Sequence, residues 1–342
     1  MKGFKRRDQR LVQGAAALLG ALAIFTSGNA LAQSGFYNNG KVLLTGGVSM
    51  VDGAGGGGIT PWAAITGYET RDGINGDLHY TYVNLPELSV NSFGGAVGFY
   101  DRVELSYAND VLTTGSTYNT VGLALQTVNG LTGAATTGIE PWNTTIRMNV
   151  VGAKVRLIGE AIYDSDNLIP QVAVGGFYKW NDNKDLLKTL GADKSKDYEL
   201  YMAVTKIFFP ISTLINVTGR YTSANQTGLV GFGAQGDDKK QFRVEGSIAY
   251  LLAKNTAIGA EFQQHGHRMD GQSVTVDGAN LSGLLGSLTG SELVQKESNW
   301  KDVFVAYAPN KNLSFVLAYA MLGNIVLEPH QNGFYISAQA SF

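Results

Sequence analysis

The sequence predicts an all-β chain, a transmembrane antiparallel up-and-down β-barrel of about 14 strands, 12 being possible, with short periplasmic turns and long extracellular loops. Three observations carry that prediction. The first is a hydrophobic period of two, sustained from Lys41 to Phe342. The second is strand length: the runs cover ten to sixteen residues, where a tilted membrane strand needs about nine to eleven and a soluble sandwich strand about five or six. The third is an alternation of short and long connections, with aromatics gathered at the strand ends.

The elements follow in chain order. Residues 1–32 read as a cleaved secretory signal: "MKGFKRRDQR" is basic, "LVQGAAALLGALAIF" is apolar, and Ala30 and Ala32 suit a small-residue cleavage site. The mature chain then spans 33–342 as one domain, and its destination is the outer membrane of a Gram-negative bacterium. Removing the signal takes five Lys/Arg and one Asp with it, so a net charge of −2 becomes about −6. That balance excludes a nucleic-acid partner. No cysteine is present, so neither a disulfide nor a thiolate metal site is available.

Fourteen strands are expected near 41–51, 59–71, 75–85, 88–99, 102–110, 142–158, 168–181, 196–209, 211–226, 239–253, 256–268, 297–309, 311–323 and 333–342. "KQFRVEGSIAYLL" is the clearest, setting Phe242, Val244, Ile248 and Tyr250 against Gln241, Arg243, Glu245 and Ser247. In "TIRMNVVGAKVRLI" the apolar residues change phase, which predicts a bulge near Val151–Gly152 and places Ile146, Met148 and Val150 outside. "FFPIST", "LLAKNT" and "APNKN" are short turns, and 111–141, 182–195, 227–238 and 269–296 are long loops. Phe208, Phe209, Tyr250, Tyr307 and Phe342 fall toward the short-turn ends; Tyr178, Trp180, Tyr198, Tyr221 and Trp300 fall toward the long-loop ends.

The chain finishes on "FYISAQASF", with Phe334, Ile336 and Phe342 on one face. This ending resembles the C-terminal insertion signal of outer-membrane barrels, although Ala340 stands where an aromatic is common. The resemblance implies two partners, outer-membrane lipid and the barrel-assembly machinery. In a closed barrel the last strand should pair with the first, near "KVLLTGGVSM". More broadly, "LLTGGVSMVDGAGGGGITPWAAITGYETRDGI", "YDRVELSYA", "SIAYLLAKNTAIGAEF" and "VFVAYAPNKNLSFVLAYAMLGNIV" resemble an uncharacterised (domain-of-unknown-function) family of proteobacterial outer-membrane proteins. That resemblance implies fold and location and supplies no substrate.

Several constellations have residue types that could carry chemistry. "GAGGGG" at 53–58 formally contains G-x-G-x-x-G, but a strand follows it where a phosphate-binding helix is needed, so it reads as a loop. His265 and His267 are spaced to share a strand face, as a metal pair would be, yet the chain has only four histidines. No G-x-S-x-G elbow occurs. No catalytic residue, metal ligand or cofactor is therefore assigned, and an enzyme is not expected. What remains is a charged inward face: Glu104, Arg147, Arg156, Glu199, Arg220, Arg243, Glu245, Glu261 and His265 are expected to line the lumen. Leu281, Leu284, Leu285 and Leu288, at helical spacing in a long loop, are expected to form a constriction or an apolar rim. A channel passing small solutes through a mixed-charge lumen fits best. The alternative is a closed structural or binding barrel acting through its extracellular loops, and a barrel enzyme comes third.

Overall fold

The computed structural model describes residues 48–67, 73–114, 145–160, 168–234, 236–276, 279–280, 282–283, 287, 295–310 and 312–342. Twelve strands form the barrel wall: β1 (Ile74–Asn84), β2 (Ser89–Phe99), β3 (Val103–Thr113), β4 (Thr145–Ile158), β5 (Gln171–Asn181), β6 (Lys196–Phe208), β7 (Thr213–Thr222), β8 (Gln241–Ala253), β9 (Thr256–Gln263), β13 (Trp300–Asn310), β14 (Leu313–Met321) and β16 (Asn332–Ser341). Each pairs antiparallel with its neighbours in chain order, and β1 closes on β16. Two small sheets lie in the long connections: β10 (Thr275–Val276) with β11 (Ala279–Asn280), and β12 (Lys296–Glu297) with β15 (Ile325–Val326). A short helix, α1 (Lys184–Thr189), lies between β5 and β6.

The expected fold class stands, and twelve is the number of wall strands. The two that drop out are the first two of the fourteen. Residues 48–66 do not join the wall but fold inside it, with Met50, Ala54, Ala63 and Ile65 almost fully buried. A run of glycines has no side chains to offer a lipid face, whereas its accessible backbone suits close contact with wall side chains. The closing strand accordingly pairs with β1, "INGDLHYTYVN", and not with "KVLLTGGVSM".

Alternation sorts the wall into an apolar exterior and a largely polar interior. Phe93, Leu105, Leu200, Met202, Val217, Ile248 and Leu317 are exposed outward, while Thr81, Ser106, Thr205, Thr218 and Ser337 are buried inward. Only lipid can cover such an exterior around a closed sheet. Turns 100–102, 209–212, 254–255 and 311–312 share one end with 159–170; connections 85–88, 114–144, 182–195, 223–240, 264–299 and 322–331 share the other. Tyr100 and Asp101 both take positive φ, 52° and 51°, the signature of a tight hairpin matched to strand twist.

Two local expectations fail. β4 holds one continuous register with β3, from Val103 opposite Val155 to Thr113 opposite Thr145. There is no bulge at Val151–Gly152; the register shifts between Arg156 and Ile158 instead. Ile146, Met148 and Val150 therefore point inward and are fully buried, and Arg147 points outward. The phase change was an artefact of equating apolar with lipid-facing. At the long-loop end of this strand the interior is itself apolar, filled by Met148 beside Phe232 and Gly228 of a folded-in loop. Trp300 is likewise buried inside the mouth, while Tyr178, Tyr198 and Tyr221 do face outward at that level.

Phe334, Ile336 and Phe342 are all exposed on the outer face of the closing seam. Phe342 exchanges backbone hydrogen bonds with Gly76, N–H to O at 3.0 and 2.8 Å. Its ring lies on Gly76, where an added Cβ would stand 2.6 Å from it and the ring would have to shift.

Candidate functional site

The lumen is the site, and residues 48–66 are its main content. Their path is fixed by wall side chains that reach in from most of the barrel. Asp52 accepts from Lys179 Nζ at 2.8 Å, and Arg220 stands 3.7 Å from it. The carboxylate of Glu104 accepts from Gly55 N at 3.0 Å and Thr66 N at 2.8 Å, and is paired with Lys154 at 3.0 Å. Lys154 Nζ also donates to the carbonyls of Gly55 and Ala64, at 2.8 and 2.7 Å. On the opposite side Glu261 accepts from Gly58 N at 2.6 Å, Ile59 N at 2.9 Å, Thr60 Oγ1 at 2.7 Å and Ser247 Oγ at 2.8 Å. Thr205 accepts from Ala63 N at 2.8 Å, and Thr218 donates to Pro61 O at 2.8 Å.

The glycine run is thus an anion seat, but for the protein's own carboxylates. Successive free N–H groups in a turn attract negative charge. At Gly57 a Cβ would lie inside the Glu261 carboxylate, so the approach needs glycine there. Gly53 has φ 92° and packs on the Tyr107 carbonyl, 2.8 Å from where a Cβ would be.

A second layer joins the wall charges to one another. Arg220 donates through Nε and Nη2 to the two oxygens of Glu245, at 2.6 and 3.1 Å, and through Nη1 to Glu199 at 2.8 Å. Lys179 stands 3.3 Å from Glu199. Charged groups this deep are tolerated because each is paired and hydrogen-bonded.

Of the residues expected to line the lumen, Glu104, Arg156, Glu199, Arg220, Arg243, Glu245 and Glu261 lie on inward positions and are buried. Arg156 sits at the short-turn end, 2.5 Å from Asp101. Arg147 is the exception, on the outer side of β4. His265 lies beyond the end of β9, buried at the long-loop mouth with its ring 4.9 Å from that of Trp300. Burial, then the nearby Arg243 and Arg220, hold its pKa well below the ordinary histidine value. His267 does not share its face: it has turned to φ 52°, is 43 % exposed, and stands beside Asp270. Close by, burial raises the pKa of the Glu297 carboxyl against the N–H of Met269. Leu281, Leu284, Leu285, Leu288 and residues 1–47 lie outside the described residues.

Some interior groups were missed. Asp52 falls just past the first predicted strand, in a stretch read as a loop joining two wall strands. Asp302, Phe304 and Ala306 alternate with Val303, Val305 and Tyr307 in β13, and a strand apolar on both faces hides its one inward acid. Asp302 stands directly opposite Glu261. A serine–histidine contact also exists, across strands: His79 Nε2 lies 3.3 Å from Ser92 Oγ. Ser92, however, donates its proton to Val51 O at 2.9 Å, so its oxygen is not prepared as a nucleophile.

Among the described residues, small cavities lie between the inner segment and the wall. Two cavities of about 30 Å³ each flank Asp302 and Tyr335, one lined by Trp62, Ala249, Phe304 and Ala318, the other by Val51, Val83, Leu229 and Trp300. Each has room for about one water.

Residues 45–339 match the model of a family described as "Protein of unknown function (DUF3034)", and the chain belongs to that family. No curated protein matches it in sequence. Among solved structures, it is similar to the KdgM porin, at 11% identity over 78% of this chain and 99% of that one, TM-score 0.43. It is similar to the COG4313 outer membrane channel from Pseudomonas putida F1, at 8% identity over 82% and 96%, TM-score 0.41. It is also similar to outer membrane phospholipase A from Escherichia coli, at 9% identity over 80% and 93%, TM-score 0.36. Channels and an enzyme stand together in that set, so these likenesses assign no activity.

Proposed function

We propose that this member of the DUF3034 family is an outer-membrane channel for small solutes, closed in the present conformation by residues 48–66 and opened by their displacement. One observation carries the reading: charged and hydroxyl side chains of the wall hydrogen-bond to the backbone of the inner segment along its length. If the segment withdraws, those groups face water at little desolvation cost, and the lumen they line is wettable. A barrel that served only as a scaffold would gain more from an apolar filling, because buried ion pairs add little to stability. Twelve strands also exceed the eight whose interior side chains alone fill the space.

The signal peptide at 1–32 belongs to the same proposal, as does the role of Phe334, Ile336 and Phe342 in recognition by the assembly machinery. Phe342→Ala should lower the fraction of assembled barrel more than any lumen substitution does, read by the gel shift on boiling.

The channel is tested by planar-bilayer recording of the wild type and of a variant lacking 48–66. The deletion should give large, steady conductance, and the wild type a small or intermittent one. Two inert proteins, each folded by the gel-shift criterion, would overturn the proposal in favour of a closed structural barrel.

A further inference from the structure

Among the described residues, the inner segment leaves Arg243 of the lumen without an ion-pair partner. Arg243, near the long-loop end of β8, is 4% exposed. Its Nη1 donates to Ala224 O at 2.6 Å, but Nε and Nη2 have no acceptor, and among the described residues it joins no ion pair. Nε and Nη2 form one edge of the guanidinium. Arg220, its direct register partner on β7, uses that same edge on the two oxygens of Glu245. The planar fork matches a carboxylate in both spacing and charge.

Two more unpartnered donors share the place. Glu245 pairs with Gln263, and Gln264 N donates to Val244 O at 3.2 Å, so the β8–β9 register carries His265 to the position across from Arg243. Neither ring nitrogen of His265 has a partner, and the same holds for Trp300 Nε1, on the ring tilted against it. His265 is 3% and Trp300 5% exposed. Gly266 completes the arrangement: a Cβ there would collide with the guanidinium at Nη2 and Cζ, so the missing side chain is what lets the Arg243 head pack against this backbone. Buried polar groups are normally satisfied, and three unsatisfied side chains together mark a place where a ligand completes the set.

We propose that Arg243, His265 and Trp300 form a binding site for the carboxylate of a small solute at the long-loop mouth of the barrel. A monoanion suits it better than phosphate or sulfate. Arg243 is a single charge with no acid hydrogen-bonded to it among the described residues, and the buried Glu297 already lies within its electrostatic reach. The two rings supply an apolar wall for the rest of the solute. Binding does not require conduction, so a channel found inert leaves this site standing, and a conducting channel without binding removes this site alone.

The test is calorimetric titration of the full chain, folded in detergent, with acetate, benzoate and phosphate. Acetate and benzoate should bind saturably, one per barrel, with phosphate weaker by roughly tenfold or more. Arg243→Gln should abolish binding. Arg243→Lys keeps the charge without the fork and should weaken it roughly tenfold or more. Gly266→Ala, which keeps every donor, should also weaken it. If Arg243→Gln fails to fold, the other two variants decide. No saturable carboxylate binding by folded wild type, or undiminished binding by Arg243→Lys and Gly266→Ala, would mean that water alone fills the fork and would overturn the site.

Discussion

Arg220 and Arg243 face each other across one rung of the β7–β8 ladder, both inward and both buried. Arg220 meets Glu245, Glu199 and, at 3.7 Å, Asp52. Arg243 meets one backbone carbonyl. Like charges directly opposite one another on a sheet face repel, so this rung is tolerable because the first arginine is over-compensated. The difference teaches where the lumen's carboxylates are spent. They gather around the inner segment and leave Arg243, at the mouth, with no carboxylate hydrogen-bonded to it among the described residues. Compensation in this barrel is local, and it divides the interior into a locked middle and an open-handed rim.

Breaking the locked side should have the largest effect. Arg220→Met leaves Glu199 and Glu245 buried beside one lysine, and removing one partner of a buried pair costs about 3–5 kcal/mol. Urea unfolding of the detergent-folded barrel should show a loss of that size. Arg243→Met strips no carboxylate of a partner, so the same measurement should find it neutral or slightly stabilising. Equal losses from the two substitutions would erase the comparison.

Glu261→Gln should come next. It keeps the shape but removes the charge that accepts four hydrogen bonds; hydrogen bonds to a charged group are worth about 1.5–3 kcal/mol. The expected readout is faster amide exchange at 57–60 with the wall strands unchanged. Slower or equal exchange would contradict the anchor.

The smallest effect concerns the rim. His265 has a depressed pKa, caused first by burial and then by Arg243 and Arg220, with His267 adding and Glu199 opposing. A depressed histidine contributes stability that is full above its unfolded value, about 6.5. That contribution shrinks as pH falls below this value, by at most about 1.4 kcal/mol per unit. Wild type should therefore lose more stability than His265→Gln between neutral and mildly acid pH. Parallel losses would show that His265 is not held neutral.

Much of the wall was legible because a barrel writes itself in period two. "KQFRVEGSIAYLL" sorts its own faces, and Glu104, Glu199, Arg220, Glu245 and Glu261 fall inward by parity alone. Parity fails where the interior is apolar too. Ile146, Met148 and Val150 looked lipid-facing, which carried Arg147 to the wrong side, and Trp300 looked like a girdle residue when it packs on His265. The inner segment was illegible for another reason. "SMVDGAGGGGITPW" holds its place through backbone groups, and hydrogen bonds of glycine N–H to distant carboxylates leave no periodic trace. The two extra predicted strands and the missed closure partner of β16 follow from that one gap.

The central claim is that residues 48–66 stop the lumen and must move to open it. The chain has no cysteine, so a single tether can test this cleanly. Thr60 Oγ1 lies 2.5 Å from Ser247 Oγ, which places a Thr60→Cys, Ser247→Cys pair within disulfide reach. Bilayer conductance of that double variant should be absent while the tether is oxidised and should return to the wild-type level on reduction. Identical conductance in the two redox states would contradict the claim.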